Sequence, residues 1–214
     1  MDIDIYSDPV CPWCFIGKRR LERALSVRPE VAAVVHWRTF QLNPTMPPDG
    51  MARDHYLHVK FGSPNPPIYD AIRAVGNSEG IEFAFDDIQR TPNTQDAHRM
   101  IRFASQLGSE DAFVEALFQA YFFHGQDIGN HEILTFIAVA LGLDSDAVAA
   151  HLASDTDLSE VREEDLQGRQ LGIQGVPCFV VAGRYAVSGA QEPEAFFPLF
   201  DMACEVSRES EVVS

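Results

Sequence analysis

The sequence has little positive charge and no long apolar run. Of its 214 residues, 16 are Lys or Arg and 32 are Asp or Glu, so the formal net charge is −16 with His neutral. Repulsion from phosphate groups and anionic lipids should oppose binding to nucleic acid or to a membrane surface. No apolar stretch approaches the roughly 18 residues that a membrane-spanning helix requires. We therefore expect neither a nucleic acid nor a membrane as a partner.

The first residues also lack the pattern of a secretory signal. Met1 to Tyr6 is acidic and alternates between polar and apolar residues, whereas a signal peptide has a basic start and then an apolar stretch. With 46% hydrophobic and 22% charged residues, the composition is typical of a globular protein. We therefore predict a cytoplasmic protein. There a close cysteine pair is more often catalytic or metal-binding than structural.

Strand patterns lie at both ends of the chain, and helical patterns fill the middle. The start has the order β-α-β with short connections, which requires parallel strands. Near the end, a hairpin that turns at Gly183-Arg184 precedes a final helix. In the middle, apolar residues recur at helical spacing, and Ser109 and Asp144 are candidate N-caps. We predict one α/β domain, formed by residues 1–43 and 172–214, that is interrupted by a mostly α-helical insertion over residues 44–171.

The four cysteines include one close pair, in the motif Cys11-Pro12-Trp13-Cys14 between the first strand and the first helix. Pro12 suits the first helical position because it needs no N–H there. A helix N-terminus stabilises a thiolate with unpaired N–H groups and the positive end of the dipole. We predict that Cys11 is the exposed catalytic thiol with a lowered pKa and that Cys14 is its buried catalytic partner, with Pro12 and Trp13 tuning the pair.

The large negative charge of the chain should not prevent thiolate formation. Exposed charges are screened beyond about 8–10 Å at physiological salt, whereas the helix N–H groups act at hydrogen-bond distance. Lys18, two turns along the same helix, should add a weak favourable effect. We interpret Lys18-Arg19-Arg20 as a solvated helix face rather than an anion site.

Further motifs run from the first strand to the last hairpin: Asp8-Pro9-Val10-Cys11-Pro12-Trp13-Cys14, Gly17-Lys18-Arg19-Arg20-Leu21, Gln41-Leu42-Asn43-Pro44, Asn93-Thr94 with Ala97-His98, Ala120-Tyr121-Phe122 with Gly125-Gln126-Asp127-Ile128, and Gly175-Val176-Pro177 with Val187-Ser188-Gly189-Ala190-Gln191. Together they resemble the FrnE-type branch of the DsbA family of thiol–disulfide oxidoreductases. The resemblance implies a thioredoxin-like fold with a helical insertion and dithiol–disulfide exchange with a protein or a small-molecule thiol or disulfide. It also implies a cis Val176–Pro177 bond beside the cysteines, where Val176 and Pro177 bind an extended substrate.

Two positions depart from DsbA proper. Trp13 stands where DsbA proper has a His that helps to stabilise the thiolate, so the pair should be less oxidising. Ile5 holds the position of the buried carboxylate six residues before the first cysteine. Asp4 and Asp8 lie nearby, but the sequence assigns neither of them as a proton relay.

The remaining cysteines leave alternatives open. Cys178 directly follows the implied cis proline, so it is either an auxiliary thiol near the site or a small buried strand residue. Cys204 is assigned to packing. Structural zinc usually draws on two closely spaced ligand pairs; because Cys178 and Cys204 form no second pair, we predict no metal site.

A second function class shares the insertion pattern. The 2-hydroxychromene-2-carboxylate isomerases and kappa-class glutathione transferases are similar in fold, but they typically carry Ser where Cys11 stands and lack the second cysteine. Retention of both thiols favours redox chemistry. We predict no cofactor beyond the redox-active disulfide, with glutathione as an alternative co-substrate. A peptide-binding holdase is the third alternative, and the sequence does not indicate the oligomeric state.

Overall fold

A computed structural model describes the backbone of residues 1–212 and the side chains of residues 1–205. Strands lie at both ends of the chain, and helices predominate between them. The strands and helices, in chain order, are β1 (Asp2–Ser7), α1 (Pro12–Ser26), β2 (Val34–Thr39), β3 (Met51–Ala52), α2 (Arg53–Phe61), α3 (Ile68–Ser78), β4 (Arg90–Thr91), α4 (Gln95–Gln106), α5 (Glu110–His124), α6 (His131–Ala140), α7 (Ser145–Leu152), α8 (Leu158–Gln170), β5 (Cys178–Val181), β6 (Tyr185–Ser188) and α9 (Phe197–Val212).

The main sheet has the strand order β2-β1-β5-β6. β1 is parallel to β2 and antiparallel to β5, and β5 forms an antiparallel hairpin with β6. The predicted parallel pair and the predicted hairpin are thus confirmed. The hairpin loop comprises three residues rather than two, because Val181 pairs with Tyr185. Ala182 and Gly183 both have positive φ in this loop.

Helices cover both faces of this sheet. On one face, Gly17 of α1 lies against β5: a Cβ at this position would lie 3.0 Å from Phe179 Cζ. On the other face, Gly168 of α8 lies against β1, where a Cβ would approach the Tyr6 ring to 2.9 Å. Glycine permits both close approaches because it has no side chain. The result is a thioredoxin-like α/β fold, as predicted.

Residues 44–171 contain α2 to α8 and a short antiparallel β3–β4 pair that the sequence pattern did not indicate. The Asp144 side chain caps α7 by accepting a hydrogen bond from the Ala147 N–H at 2.8 Å. Ser109 is the N-cap residue of α5, as predicted, but its side chain makes no capping hydrogen bond. The domain boundaries at residues 43/44 and 171/172 stay predictions. No helix among the described residues has the length and apolar character to cross a membrane.

Candidate active site

The two cysteines of the motif lie at the start of α1. Cys11 is the N-cap, with extended backbone angles, and Pro12 is the first helical residue. The Cys11 N–H donates to the Asp8 carbonyl at 2.9 Å, and the Cys14 N–H donates to the Cys11 carbonyl at 3.0 Å. The turn therefore holds both thiols on one side of the helix terminus as free cysteines.

The environment of Cys14 disfavours its thiolate. Cys14 is 1% exposed. Burial raises the pKa of its thiol well above the usual value, and the contact with Cys11 raises it further, against hydrogen bonds from Ser7 and from the Asp8 backbone. A thiol attacks disulfides only as the thiolate. Cys14 is therefore suited to a second, intramolecular step rather than to the first attack on a substrate.

Cys11 differs from the prediction in one respect: it is 4% exposed and therefore buried. Its Sγ donates to the Val176 carbonyl at 3.5 Å, and Val176 packs against the core cluster that contains both cysteines. A helix N-cap is exposed only where no other segment packs on it, and here the segment before β5 does so. Pro12 and Trp13 are half-buried beside it.

The segment before β5 contains the two residues that the resemblance assigned to substrate binding. The Val176–Pro177 peptide bond is cis. Pro177 is buried, Val176 is half-buried, and the Val176 carbonyl faces Cys11. Gly17 allows this arrangement, because a Cβ there would lie only 2.8 Å from Pro177 Cγ. The structure thus brings the cysteines, Val176 and Pro177 together.

Asp8 is a site residue to which the sequence analysis gave no role. Its carboxylate is fully buried and accepts hydrogen bonds from the N–H groups of Leu42, at 2.7 Å, and Val10, at 3.4 Å. Burial raises the pKa of Asp8 to about 6, while these hydrogen bonds and one from Thr94 oppose the increase. The sequence shows Asp8 just before the cysteines, but it does not show that α4 and the Leu42 segment enclose it.

His98 of α4 faces this carboxylate. Its Nε2 lies 3.9 Å from Asp8 Oδ1 and has no hydrogen-bond partner among the described side chains and backbone. Burial lowers the pKa of His98 to about 4, so the imidazole is neutral at pH 7. In this buried pair, the Asp8 carboxylate alone carries charge at neutral pH.

The cationic motif of α1 is not a solvated face. Lys18 is 4% and Arg20 8% exposed. Lys18 Nζ lies 3.1 Å from Asp111 of α5, and Arg20 Nε lies 2.7 Å from Glu79, which follows α3. These ion pairs fasten α1 to the helical insertion. They also hold the Lys18 charge close to carboxylates, which removes the basis for its predicted effect on Cys11.

The other two cysteines belong to different surroundings from Cys11 and Cys14. Cys178 pairs with Tyr6 across β1 and β5, and both pack with Phe40 in a small cluster that excludes Cys11 and Cys14. Burial raises the pKa of the Cys178 thiol. Cys204 is half-buried on α9. Within the described part of the chain, no group of three or more His, Cys, Asp or Glu side chains is arranged to hold a metal ion.

Comparisons with known proteins place this geometry in a family. The DSBA-like thioredoxin domain model matches residues 2–198. A probable DsbA oxidoreductase from Streptomyces coelicolor is 32% identical, with 96% of this chain and 90% of that chain covered and a TM-score of 0.86. The uncharacterized protein YwbO of Bacillus subtilis (strain 168) is 29% identical over 197 residues, which are 91% of this chain and 92% of YwbO.

A more distant likeness shows the fold alone. A 2-hydroxychromene-2-carboxylate isomerase is 15% identical, with 100% of both chains covered and a TM-score of 0.70. The family model and the Streptomyces structure carry the assignment, since they combine sequence and fold over nearly the whole chain. The chain therefore belongs to the DSBA-like thioredoxin domain family.

Proposed function

We propose that this protein exchanges dithiols and disulfides with protein or small-molecule substrates through Cys11 and Cys14. The observation that carries the proposal is the Cys11 thiol at the start of α1, one turn before a buried Cys14 of raised pKa. Membership of the DSBA-like family supports it. The cytoplasmic location and the FrnE-type branch stay predictions.

In the reducing direction, the Cys11 thiolate attacks one sulfur of a substrate disulfide and the other sulfur leaves as a thiolate. Cys14 then loses its proton and attacks the Cys11 sulfur, so that the substrate leaves as a dithiol and the protein becomes oxidised. In the oxidising direction, a substrate thiolate attacks Cys11 of the protein disulfide. Val176 offers its backbone to an extended substrate beside Cys11, and no cofactor takes part in either direction.

Single cysteine variants test this assignment. Cys11→Ser should abolish reduction of insulin disulfides, because the first attack has no nucleophile. Cys14→Ser should accumulate mixed disulfides with the substrate, because the resolving thiol is absent. Turbidity of precipitating insulin measures the first effect, and non-reducing gels measure the second. Cys204→Ser is the matched control and should keep the wild-type rate; insulin reduction by Cys11→Ser at that rate would refute the assignment.

A glutathione-dependent isomerase is the second candidate, supported by the full-length fold similarity to the 2-hydroxychromene-2-carboxylate isomerase. Turnover of a small aromatic substrate with glutathione, without net thiol oxidation, would favour this candidate. The two thiols at the helix start favour the oxidoreductase. The role of Cys178 as an auxiliary thiol stays a prediction, and unchanged insulin reduction by Cys178→Ser would argue against it.

A further inference from the structure

One buried cation of this acidic protein lacks a carboxylate partner. Arg53, the first residue of α2, is 7% exposed and belongs to no ion pair among the residues that the structure describes. Every other Lys or Arg side chain that is buried within residues 1–205 has a carboxylate partner: Lys18 has Asp111 at 3.1 Å, Arg20 has Glu79 at 2.7 Å, and Arg99 has Asp96 at 2.7 Å. Removing a charge from water without a counter-charge is unfavourable, so the exception requires an explanation.

The contacts of Arg53 leave part of its hydrogen-bonding capacity unused. Its guanidinium donates to the hydroxyl groups of Tyr69 at 2.7 Å, Thr91 at 3.2 Å and Tyr121 at 3.5 Å, and its Nε has no hydrogen-bond partner within the described residues. These acceptors are neutral, whereas a guanidinium has five donors in a geometry that matches a carboxylate. The Tyr69 ring, 5.2 Å from Arg53 Cζ, compensates the charge only in part.

Arg53 also lines a pocket of about 630 Å³ between α2, α3 and the segment before β4. Three acidic residues, Asp54, Asp70 and Asp86, also line the pocket. All three are exposed, and the side chains of Asp70 and Asp86 are 85% and 86% exposed. Arg73 lies 2.8 Å from Asp86 and so balances that charge. The buried part of the wall therefore presents an unbalanced positive charge, while the negative charges lie in solvent.

A chain of contacts connects this positive charge to the dithiol. The Asp8 backbone carbonyl accepts a hydrogen bond from the Cys11 N–H at 2.9 Å, and the Asp8 carboxylate accepts one from the Leu42 N–H at 2.7 Å. The next residue, Asn43, accepts a hydrogen bond from the Tyr56 hydroxyl at 3.3 Å. The Tyr56 ring centre lies 5.7 Å from Arg53 Cζ.

A second cation lies on the same side of α2. Lys60 is exposed and donates to the Tyr56 hydroxyl at 2.6 Å, and it has no ion-pair partner within the described residues. Arg53, Tyr56 and Lys60 are three and four residues apart, which puts them on one helical face. We call these three residues the cationic face of α2.

We propose that the cationic face of α2 binds a carboxylate group of a small-molecule disulfide while Cys11 attacks one of its sulfurs. This inference rests on the proposed function and names its substrate class. The Cys11 thiolate forms a bond to one substrate sulfur, and the other half of the substrate leaves as a thiolate. Cys14 then releases the second half and the protein becomes the disulfide, so two electrons pass from the protein to the substrate.

Two chromogenic disulfides, one with carboxylates and one without charge, test the proposal. Dithiobis-nitrobenzoate carries two carboxylates, whereas dithiodipyridine is uncharged at neutral pH. Stopped-flow measurements use the reduced full-length protein with Cys178→Ser and Cys204→Ser as background. We expect Arg53→Met to slow the reaction with the dicarboxylate about tenfold or more, because a charged hydrogen bond is lost. The reaction with dithiodipyridine should keep its rate, and so the ratio of the two rates should fall.

Lys60→Met and Arg73→Met complete the design. Lys60 is exposed, so Lys60→Met should fold normally and lower the same ratio by a smaller factor, and it decides the outcome if Arg53→Met fails to fold. Arg73→Met removes a charge that Asp86 already balances and should leave the ratio unchanged. An equal loss for both disulfides, or an unchanged ratio in Arg53→Met and Lys60→Met, would overturn the inference. Absence of any wild-type reaction with dithiodipyridine would instead overturn the proposed function itself.

Discussion

At the scale of single residues, burial shifts the pKa values of three groups at the site: Cys14, Asp8 and His98. Burial and the contact with Cys11 raise the pKa of the Cys14 thiol. Asp8 and His98 are both titratable, and burial shifts each towards its neutral form, to a pKa of about 6 and about 4 respectively. Asp8 is thus a carboxylate whose ionisation opposes folding.

Asp8→Asn should change how stability depends on pH. The folded-state pKa of about 6 lies above the ordinary carboxyl pKa of 3.8, so the folded protein binds more protons between these pH values than the unfolded protein does. The favourable contribution of protonated Asp8 is fully present below pH 3.8 and is lost as the pH rises through about 6. At 1.36 kcal/mol per pKa unit, the loss is about 3 kcal/mol. Urea unfolding at several pH values should show this decline in the wild type and a flatter profile in Asp8→Asn; identical profiles would refute it.

The sequence made the cysteine pair predictable, but it did not reveal the buried contact between Asp8 and His98. A CxxC motif at the start of a helix has a local physical meaning, since the helix terminus itself acts on the thiols. Asp8 and His98 are 90 residues apart in the sequence, and their relation arises only when α4 packs beside β1. The burial of Cys11 likewise depends on Val176, which belongs to the other end of the chain.

At the scale of secondary structure elements, α1 performs three tasks with different parts of its length. Its first turn contains the two cysteines, and Gly17 leaves space for the ring of Pro177. Lys18 and Arg20 form ion pairs with carboxylates of the insertion. The periodicity of the sequence predicted the helix correctly, yet the cations were interpreted as a solvated face. That error has a physical reason: charge in a sequence indicates exposure only when no carboxylates from distant segments pack against it.

The close approach of α1 to Pro177 should make position 17 sensitive to a single methyl group. Gly17→Ala would place a Cβ 2.8 Å from Pro177 Cγ and 3.0 Å from Phe179 Cζ. Overpacking of this kind typically costs about 1–3 kcal/mol, and here it displaces the segment that faces Cys11. We expect slower insulin reduction and a lower free energy of unfolding in urea.

Gly175→Ala is the matched control for this prediction. Gly175 lies in the same segment, two residues before Pro177, and a Cβ there would meet no atom within 4 Å. This variant should retain the wild-type rate and stability. Equal behaviour of the two variants would show that the packing of α1 on Pro177 does not govern the site.

At the scale of the whole molecule, aromatic residues join the thioredoxin-like part to the insertion. Phe15 of α1 stacks on Phe118 of α5 with ring centres 4.9 Å apart, and Trp37 of β2 meets Phe118 edge-on at 6.2 Å. Phe118 is fully buried. Buried aromatic contacts of this kind contribute strongly to stability, so the two parts should share one core.

Unfolding should therefore occur in a single transition. Tryptophan fluorescence reports mainly on the thioredoxin-like part, which contains Trp13 and Trp37, and far-UV circular dichroism reports mainly on the helices. With the protein kept reduced, the two signals should give coincident urea transitions. Phe118→Ala should lower the free energy of unfolding by about 3–5 kcal/mol, which shifts both transitions to lower urea concentrations. Two separate transitions would instead support independent units divided at residues 43/44 and 171/172.

The sequence by itself determined that a β-α-β unit opens the chain and a hairpin with a helix ends it, where the dithiol lies, and that the insertion is helical. These features follow from short-range periodicity and from turn and helix-start chemistry, which act within a few residues. Only the tertiary structure decided that Cys11 is buried against Val176, that Asp8 is enclosed, and that Arg53, beside a pocket, has no carboxylate partner in the described part of the chain. Burial and the balance of charge depend on which distant segments pack together, and local patterns in a sequence do not contain that information.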